Sequence, residues 1–255
     1  YTPWCVAESG TGLGGWAATD FIEDLVLHGS GPEVYDQWVD GDLPFNSVAI
    51  RRAFERYGDV VLPLGHVYGG IANAIDAPTS DGLVPMQSEV PGCWFHHQGS
   101  LALRYLPAHA VRYGQMAYFV MPSVEPDYAD TVLGSAVFAA AVKDRPEVRE
   151  LMRFLASPGF GVELAQSSGS GFIAANRLFD RTYNGRDSRV NLRVIAHDAL
   201  EADRFRFDGS VAMGIDLDVA FRSAMIHYLR GGSGALPRVL DNLDDRSIDD
   251  SDPRQ

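Results

Sequence analysis

The chain has 255 residues, of which 46% are hydrophobic and 22% are charged, a composition typical of globular proteins with one large or two modest domains. The formal net charge of −13 argues against nucleic-acid binding, because phosphate groups are bound by clustered Lys and Arg and the sequence has no such cluster. The same charge disfavours anionic membrane surfaces, and no apolar run approaches the roughly 20 residues that span a bilayer.

The first predicted elements are a short strand over 6–8 and the glycine-rich loop Gly10–Gly15 that follows it. A helix is predicted to start at Asp20, because this residue can cap it with Glu23 three positions later. The apolar stretch behind this cap continues the helix to Gly29.

The remaining elements are predicted from periodicity and local caps. Asn46 is expected to cap a helix over 47–58. The segment 145–157 is the clearest helix, because its apolar residues recur at i, i+3, i+4 and i+7. The other predictions are helices over 32–41, 100–106, 187–203 and 217–230, and strands over 115–121 and 131–142.

The stretch 91–99, PGCWFHHQG, places one cysteine, one tryptophan and two histidines within five positions. A zinc site requires three or four ligands at workable spacing, and the chain has no CxxC or HExxH motif. His96 and His97 are adjacent, so on a strand they point to opposite faces and cannot chelate one ion. A nucleophilic Cys93 would need an orienting Asn or Asp that the sequence does not place. We therefore predict no metal site, no catalytic cysteine and two partly exposed histidines.

Cys5 and Cys93 are the two cysteines of the chain, and a tryptophan stands beside each of them. Two thiols are compatible with a disulfide in an oxidising compartment and with two buried side chains in the cytosol. The near-duplication of the two sequences, Pro3-Trp4-Cys5 and Gly92-Cys93-Trp94, indicates that they meet in space. A disulfide is the prediction that this favours.

The loop Gly10–Gly15 matches the dinucleotide-binding pattern GxGxxG, which makes a dinucleotide-binding oxidoreductase the alternative function. In such folds the helix opens directly off the loop, so that its N-terminus meets the pyrophosphate. Here the predicted cap, Thr19 or Asp20, comes four to five residues later, and acidic residues in the first turn would repel phosphate. The pattern is therefore a weak indication of a nucleotide site.

Trp16 and Trp94 are both predicted to lie on loops, Trp16 after the glycines and Trp94 in a Pro-Gly-Cys turn. A large ring on a loop often packs into the hydrophobic core. It is also a surface on which the flat apolar face of a sugar stacks, with polar groups nearby to orient it. The residues alone leave both interpretations open.

Several stretches, in chain order, resemble the extracellular solute-binding proteins of ABC sugar importers. They are PWCVAESG, GWAATDFIEDLVLHGSGPEVYDQWVDGDLPFN, PGCWFHHQGS and VKDRPEVRELMRFLASP. The resemblance is to the α-glucoside-binding branch of family 1, relatives of maltose-binding protein, and runs from Trp4 to about Leu229. It implies an α/β, type II periplasmic-binding-protein-like fold, in which two lobes joined by a hinge close on a ligand.

The resemblance also implies a ligand site. Trp94 matches a tryptophan that stacks on sugar, and Trp16 falls near another aromatic at the cleft. The helix around Phe221 matches one that presents aromatic residues to the ligand, although the family's tryptophan stands here as Arg222. We expect Trp94 and Trp16 to line one concave face, with Glu8 and Arg222 as polar partners at its rim. An i, i+4 pair of Arg222 with an aspartate one turn earlier is the alternative.

Members of the family are longer, so the chain is expected to lack most of the first lobe. The predicted organisation is a C-terminal lobe over 1–125, a segment of the N-terminal lobe over 126–182, helices packing on the C-terminal lobe over 183–240, and an acidic flexible tail over 241–255. The tail is predicted because it holds six aspartates against two arginines.

The resemblance implies a receptor that catalyses nothing and needs no cofactor. Such a receptor captures a sugar or oligosaccharide, α-glucoside-like, outside the cytoplasm and delivers it to ABC permease subunits. Contact with the membrane is expected only through the permease or a lipid anchor outside this chain, and no contact with nucleic acid is expected.

Overall fold

A computed structural model describes residues 2–9, 14–105, 116–166, 173–178 and 199–250. These residues form two compact units: unit 1 comprises Tyr1–Gln98, Pro122–Leu133 and Arg206–Gln255, and unit 2 comprises Gly99–Met121 and Gly134–Phe205. Within the described ranges, no helix combines the length and apolarity that crossing a membrane would require.

Helices make up most of unit 1. They are α1 (Trp16–Ser30), α2 (Pro32–Val39), α3 (Val48–Val61), α4 (Gly70–Asp76), α7 (Gly209–Ala212), α8 (Ile215–Gly231) and α9 (Leu236–Asp250). Helix α1 packs against α2, α3 and α8, and α8 packs against α9. Short 3₁₀ turns are found at Thr79–Asp81, Val84–Gln87, Pro126–Tyr128 and Ser233–Ala235.

An aromatic cluster forms the centre of unit 1. Phe221 of α8 is completely buried, and its ring lies 5.3 Å from that of Phe45 and 5.9 Å from those of Trp38 and Phe54, measured between centroids. Edge-to-face and tilted contacts of this kind add to the large apolar area that each ring removes from water.

An extended segment, residues 3–9, runs through unit 1 beside three other stretches of chain. The amide of Trp4 donates to the carbonyl of His66, that of Glu8 to Ala74, and that of Ser9 to Ala77. Isolated parallel bridges at Trp4 and Ser9 mark its two ends. No strand is assigned to the predicted range 6–8 itself, so that prediction is wrong although the segment is strand-like in its bonding.

Unit 2 contains α5 (Pro146–Leu155), α6 (Pro158–Gln166) and a 3₁₀ helix, Ser100–Tyr105. Strand β1 (Thr131–Gly134) pairs with β2 (Arg204–Phe207) in a two-stranded sheet. In both strands the chain passes from one unit to the other.

The helices predicted over 32–41, 47–58, 145–157 and 217–230 are confirmed as α2, α3, α5 and α8. The strand predicted over 131–142 stops at Gly134, and residues 116–121 form no strand. The helix predicted over 187–203 lies mostly outside the described residues. The predicted lobes 1–125, 126–182 and 183–240 stay a prediction, and the compact units divide the chain at other positions.

The flexible acidic tail predicted from 241 is wrong for residues 241–250, which form the last ten residues of α9. Leu240 and Leu243 of this helix are buried, and the Asp244 carboxylate accepts hydrogen bonds from the amides of Phe45 and Asn46. The buried leucines and the Asp244 carboxylate therefore pack α9 against the rest of unit 1. Residues 251–255 lie outside the described part of the chain.

Candidate functional site

The predicted disulfide is present: Cys5 and Cys93 are bonded, with 5.4 Å between their Cα atoms, and both are buried. The carbonyl oxygen of Pro3 accepts from the amides of Trp94 and Phe95, and the amide of Cys5 donates to the carbonyl of Phe95. The bond and these contacts fix the Pro-Gly-Cys turn to the start of the extended segment 3–9. The two similar sequences meet in space, as predicted.

Trp94 leaves this turn with 47% of its surface exposed. Together with Pro3, Leu64, His66 and Phe95 it lines an open depression of about 770 Å³. Most of these side chains are apolar, and Leu64 and Phe95 are themselves exposed. A covalently fixed turn thus presents an indole to solvent beside an apolar wall and one imidazole. Such a surface suits a ligand with a flat apolar face and polar edges.

Glu8 lies at the other end of the segment 3–9 and is only 2% exposed. Its carboxylate accepts a hydrogen bond from the amide of Ala18, in the first turn of α1, at 3.1 Å. Burial raises the pKa of Glu8 to about 8, although the hydrogen bond from Ala18 opposes this shift. The prediction that Glu8 stands at the rim of a ligand face is wrong, because its side chain closes the N-terminus of a helix inside unit 1.

Helix α1 begins at Trp16, directly after Gly14 and Gly15, and not at Asp20 as predicted. Gly15 has a φ of +94°, and a Cβ atom there would collide with the carbonyl oxygen of Arg222. A glycine is required at this position on both grounds. The late helix start that we held against nucleotide binding is therefore wrong.

A different observation weighs against a dinucleotide at this loop. Phosphate binds the free amides of a helix N-terminus, and in α1 the buried carboxyl group of Glu8 already accepts from one of them. Residues 10–13 of the glycine pattern lie outside the described part of the chain.

Two of the predicted site residues, Phe221 and Arg222, lie on α8. Phe221 is completely buried in the aromatic cluster, so the prediction that it contacts ligand is wrong. Arg222 donates from Nε to the carboxylate of Asp218 at 2.6 Å, which is the i, i+4 pair considered as the alternative. Trp16, half-buried, directly follows the glycine that packs on the Arg222 backbone.

The segment 3–9 separates the predicted site residues into two groups. Trp94 is bonded at its Pro3 end, whereas the backbone of Glu8, at the other end, accepts from the amide of Gly15, next to Trp16. The concave face shared by Trp16 and Trp94 stays a prediction.

Sequence reasoning missed a cluster of carboxylates that Asp20, Glu23 and Asp208 form, with oxygens within 4.8 Å of one another. Glu23 is completely buried, and its two oxygens accept from the amides of Gly209 and Ser210 and from the hydroxyl of Tyr35. Burial, and then the charge of Asp208, raise its pKa. Because both oxygens of Glu23 are already bonded, we assign the cluster a structural role. The signal in the sequence was Glu23, an acidic residue among the apolar residues of α1, which indicates a carboxylate with partners inside the fold.

The adjacent histidines bond to different partners. His96 Nδ1 lies 2.8 Å from the carbonyl of Cys5, while His97 Nε2 lies 2.7 Å from the Asp24 carboxylate. Burial lowers the pKa of His96, and its hydrogen bonds oppose this shift. Both rings are half-buried, in agreement with the prediction of partly exposed histidines.

No family model matches the chain. Over 245 residues, 95% of the chain, it is 31% identical to the osmoprotective compounds-binding protein GgtB of Synechocystis sp.. The predicted relationship to solute-binding proteins is confirmed. A second relative is the alpha-glucosides-binding periplasmic protein AglE of Rhizobium meliloti, 32% identical over 91% of the chain. The matches cover 56% and 50% of these two proteins, so the chain spans about half the length of the curated relatives it matches.

The fold comparison agrees with the sequence comparison. A solved chitin oligosaccharide binding protein superposes with a TM-score of 0.67 over 97% of this chain and 60% of its own length, at 13% identity. The likeness confirms the predicted α/β fold of the periplasmic-binding-protein type. At this identity it carries no information about the ligand.

Proposed function

We propose that the chain is part of the substrate-binding component of an ABC importer, which captures a sugar or oligosaccharide and delivers it to a membrane permease. The observation that carries the proposal is sequence identity above 30%, over more than nine-tenths of the chain, to two proteins named for binding osmoprotective compounds and alpha-glucosides. The ligand class we favour is an α-glucoside, as in the name of the second relative.

The disulfide supports a location outside the cytoplasm, because such bonds persist in oxidising compartments. The periplasmic relative points the same way. We propose an extracytoplasmic protein, held at the membrane through its permease or a lipid anchor.

We also propose a receptor without catalytic activity. Cys93, the one nucleophile of the PGCW turn, is consumed in the disulfide, and His97 is engaged with a carboxylate of α1. Neither group is available for the cysteine–histidine chemistry that their proximity in sequence suggests.

Trp94 is the residue that we propose as the stacking platform for the ligand. Its backbone is fixed by the disulfide turn, so the turn itself need not become ordered when a ligand covers the ring. Its neighbours in the depression, Phe95 and His66, offer a second apolar surface and a polar group. Trp16 and Arg222, at the far end of segment 3–9, are proposed as further contacts.

Isothermal titration tests the proposal with three groups of ligands: α-linked glucosides, chitin-type oligosaccharides and small osmoprotective solutes, with NAD as the representative of the alternative function. We expect an α-glucoside to bind, and Trp94→Ala to weaken it by about tenfold or more, as expected for a central aromatic contact. Trp94→Phe, which keeps a ring, is the matched control and should lose less.

The outcomes separate the site from the function. Sugar binding with unchanged affinity in Trp94→Ala would place the ligand elsewhere and leave the function intact. Binding of NAD without any binding of the three ligand groups would contradict the function.

A further inference from the structure

The chain passes between the two units at four points: 98/99, 121/122, 133/134 and 205/206. The residues of unit 1 that border these points, 95–98, 122–133 and 206–210, are called the connecting segments below. Each of the three is bonded to helix α1, and the contacts lie within unit 1.

The first connecting segment contacts α1 through His97. Its Nε2 lies 2.7 Å from the carboxylate of Asp24, and its ring stacks on that of Phe21, with centroids 4.3 Å apart and planes 7° from parallel. Asp24 is 14% exposed, so solvent screens the contact little. Burial raises the pKa of Asp24, but its contacts with His28 and His97 outweigh burial and lower it overall, so the carboxylate is charged at neutral pH.

The second connecting segment contacts α1 through His28. The His28 carbonyl accepts from the amides of Val124 and Glu125, at 3.2 and 3.0 Å. Its side-chain Nδ1 lies 2.9 Å from the hydroxyl of Thr131, at the start of β1. The other ring nitrogen, Nε2, lies 3.6 Å from the carboxylate of Asp24. Asp24 therefore stands between the histidines that hold the first and second connecting segments.

The third connecting segment contacts α1 through Glu23. Its carboxylate accepts from the amides of Gly209 and Ser210, and from the hydroxyl of Tyr35, which also donates to the carbonyl of Phe207. Glu23, Tyr35, Gly209 and Ser210 are buried, whereas Phe207 is exposed. Few water molecules therefore compete for the hydrogen bonds of Glu23.

The spacing of residues along α1 explains why one helix can contact all three connecting segments. Phe21, Asp24 and His28 follow one another at i, i+3 and i+7 and lie on one face, and Glu23 lies about 100° around the axis from Asp24. Other apolar residues of α1, among them Ile22, Leu25 and Val26, are buried in the core of unit 1.

We infer that α1 holds all three connecting segments to unit 1, and that Asp24 is a positioning residue that couples two of them through His97 and His28. Local opening of the first and second segments is then opposed in part by the half-buried carboxylate of Asp24. If the proposed function holds, ligand affinity depends on Asp24, because Phe95, which lines the Trp94 depression, belongs to the segment that Asp24 holds through His97. That second consequence rests on the proposed function, whereas the first does not.

Hydrogen exchange, followed by mass spectrometry on the whole chain, tests the inference. In Asp24→Ala we expect the peptide covering 94–98 to exchange roughly ten- to a hundredfold faster, the range for a lost hydrogen bond to a charged group. The peptide covering 124–133 should be accelerated by a smaller factor, because Asp24 reaches it only through the 3.6 Å contact with His28. A peptide from α8 should change less than about threefold. Asp24→Asn keeps an acceptor oxygen for His97 and should exchange at an intermediate rate, and it also serves if Asp24→Ala does not fold.

Asp244→Ala is the matched control, because it removes a carboxylate that accepts two amide hydrogen bonds in unit 1 and contacts no connecting segment in the interactions described above. It should leave both reporter peptides unchanged relative to α8. Equal acceleration of all peptides in the Asp24 variants, or none, would overturn the inference. Titration of the same variants with the sugar bound by the unmodified protein tests the dependence of affinity. If no sugar binds at all, the proposed function fails while the exchange result still decides the inference.

Discussion

Replacement of Glu8 by Gln should make the stability of unit 1 less sensitive to a rise in pH between about 4.5 and 8. The folded chain holds a proton on this buried carboxyl, whose pKa is raised to about 8 by burial, whereas the unfolded chain releases it near 4.5. Between these two values the folded state binds one more proton than the unfolded state. The stability from this group is therefore complete below about pH 4.5 and is lost progressively as pH rises towards 8.

The magnitude follows from the linkage relation. One extra bound proton changes the free energy of unfolding by roughly 1 to 2 kcal/mol per pH unit, so about 3 kcal/mol is lost between pH 4.5 and 7. Gln cannot ionise, yet its amide oxygen can still accept the hydrogen bond from Ala18 that Glu8 accepts at 3.1 Å. The variant should keep the helix cap and lose the pH dependence of this group.

Urea denaturation at pH 5, 6, 7 and 8, followed by tryptophan fluorescence, measures this difference. All four tryptophans lie in residues 1–98, so the signal reports on unit 1. Glu23, with a similarly raised pKa, contributes the same slope to both proteins and cancels. Glu89→Gln, at an exposed position, is the control and should have the slope of the unmodified chain. Equal slopes for Glu8→Gln and the unmodified chain would refute the reasoning.

Two further predictions concern the ends of segment 3–9. The Cys5–Cys93 bond closes a loop with a sequence separation of 88, so its reduction should lower the free energy of unfolding by roughly 4–5 kcal/mol in the chain-entropy model. A thermal melt with reductant measures this loss, and an unchanged melting temperature would contradict a stabilising bond. Gly15→Ala should destabilise by about 1–3 kcal/mol more than Gly41→Ala in urea denaturation, because both glycines have a positive φ but only Gly15 faces the Arg222 backbone; similar losses would show that α8 is not in the way.

Sequence patterns located five of the nine helices in the described residues, but they misplaced the start of α1. The run 145–157 is helical because its own apolar spacing makes it amphipathic, and that information is local. The start of α1 is not determined locally, because its amide at Ala18 is capped by Glu8, ten residues before Ala18, and the glycines before Trp16 carry no capping side chain. Asn46 failed in the same way: its side chain donates to Asp241, 195 residues later, and does not cap α3.

The candidate site shows the same limit. The disulfide beside Trp94 could be predicted, because the cysteine next to it has one available partner, whereas a ligand contact of Trp94 stays a prediction. Phe221 could not be placed, since one residue along α8 rotates a side chain by about 100°, enough to move it from a ligand surface into the core. The role of Glu8 could not be predicted either, because the helix that its side chain caps begins eight residues later.

The acid-rich end of α9 has a practical consequence for shortening the chain. Composition marks residue 241 as a natural place to cut, yet the cut would remove Leu243, which is 2% exposed, and Asp244. The amides of Phe45 and Asn46 would lose their acceptor beside the aromatic cluster, and an unsatisfied buried donor costs roughly 1–3 kcal/mol. A purification tag or reporter joined after Asp250 leaves this helix whole, whereas one joined after Leu240 would yield a protein that exposes its core and precipitates.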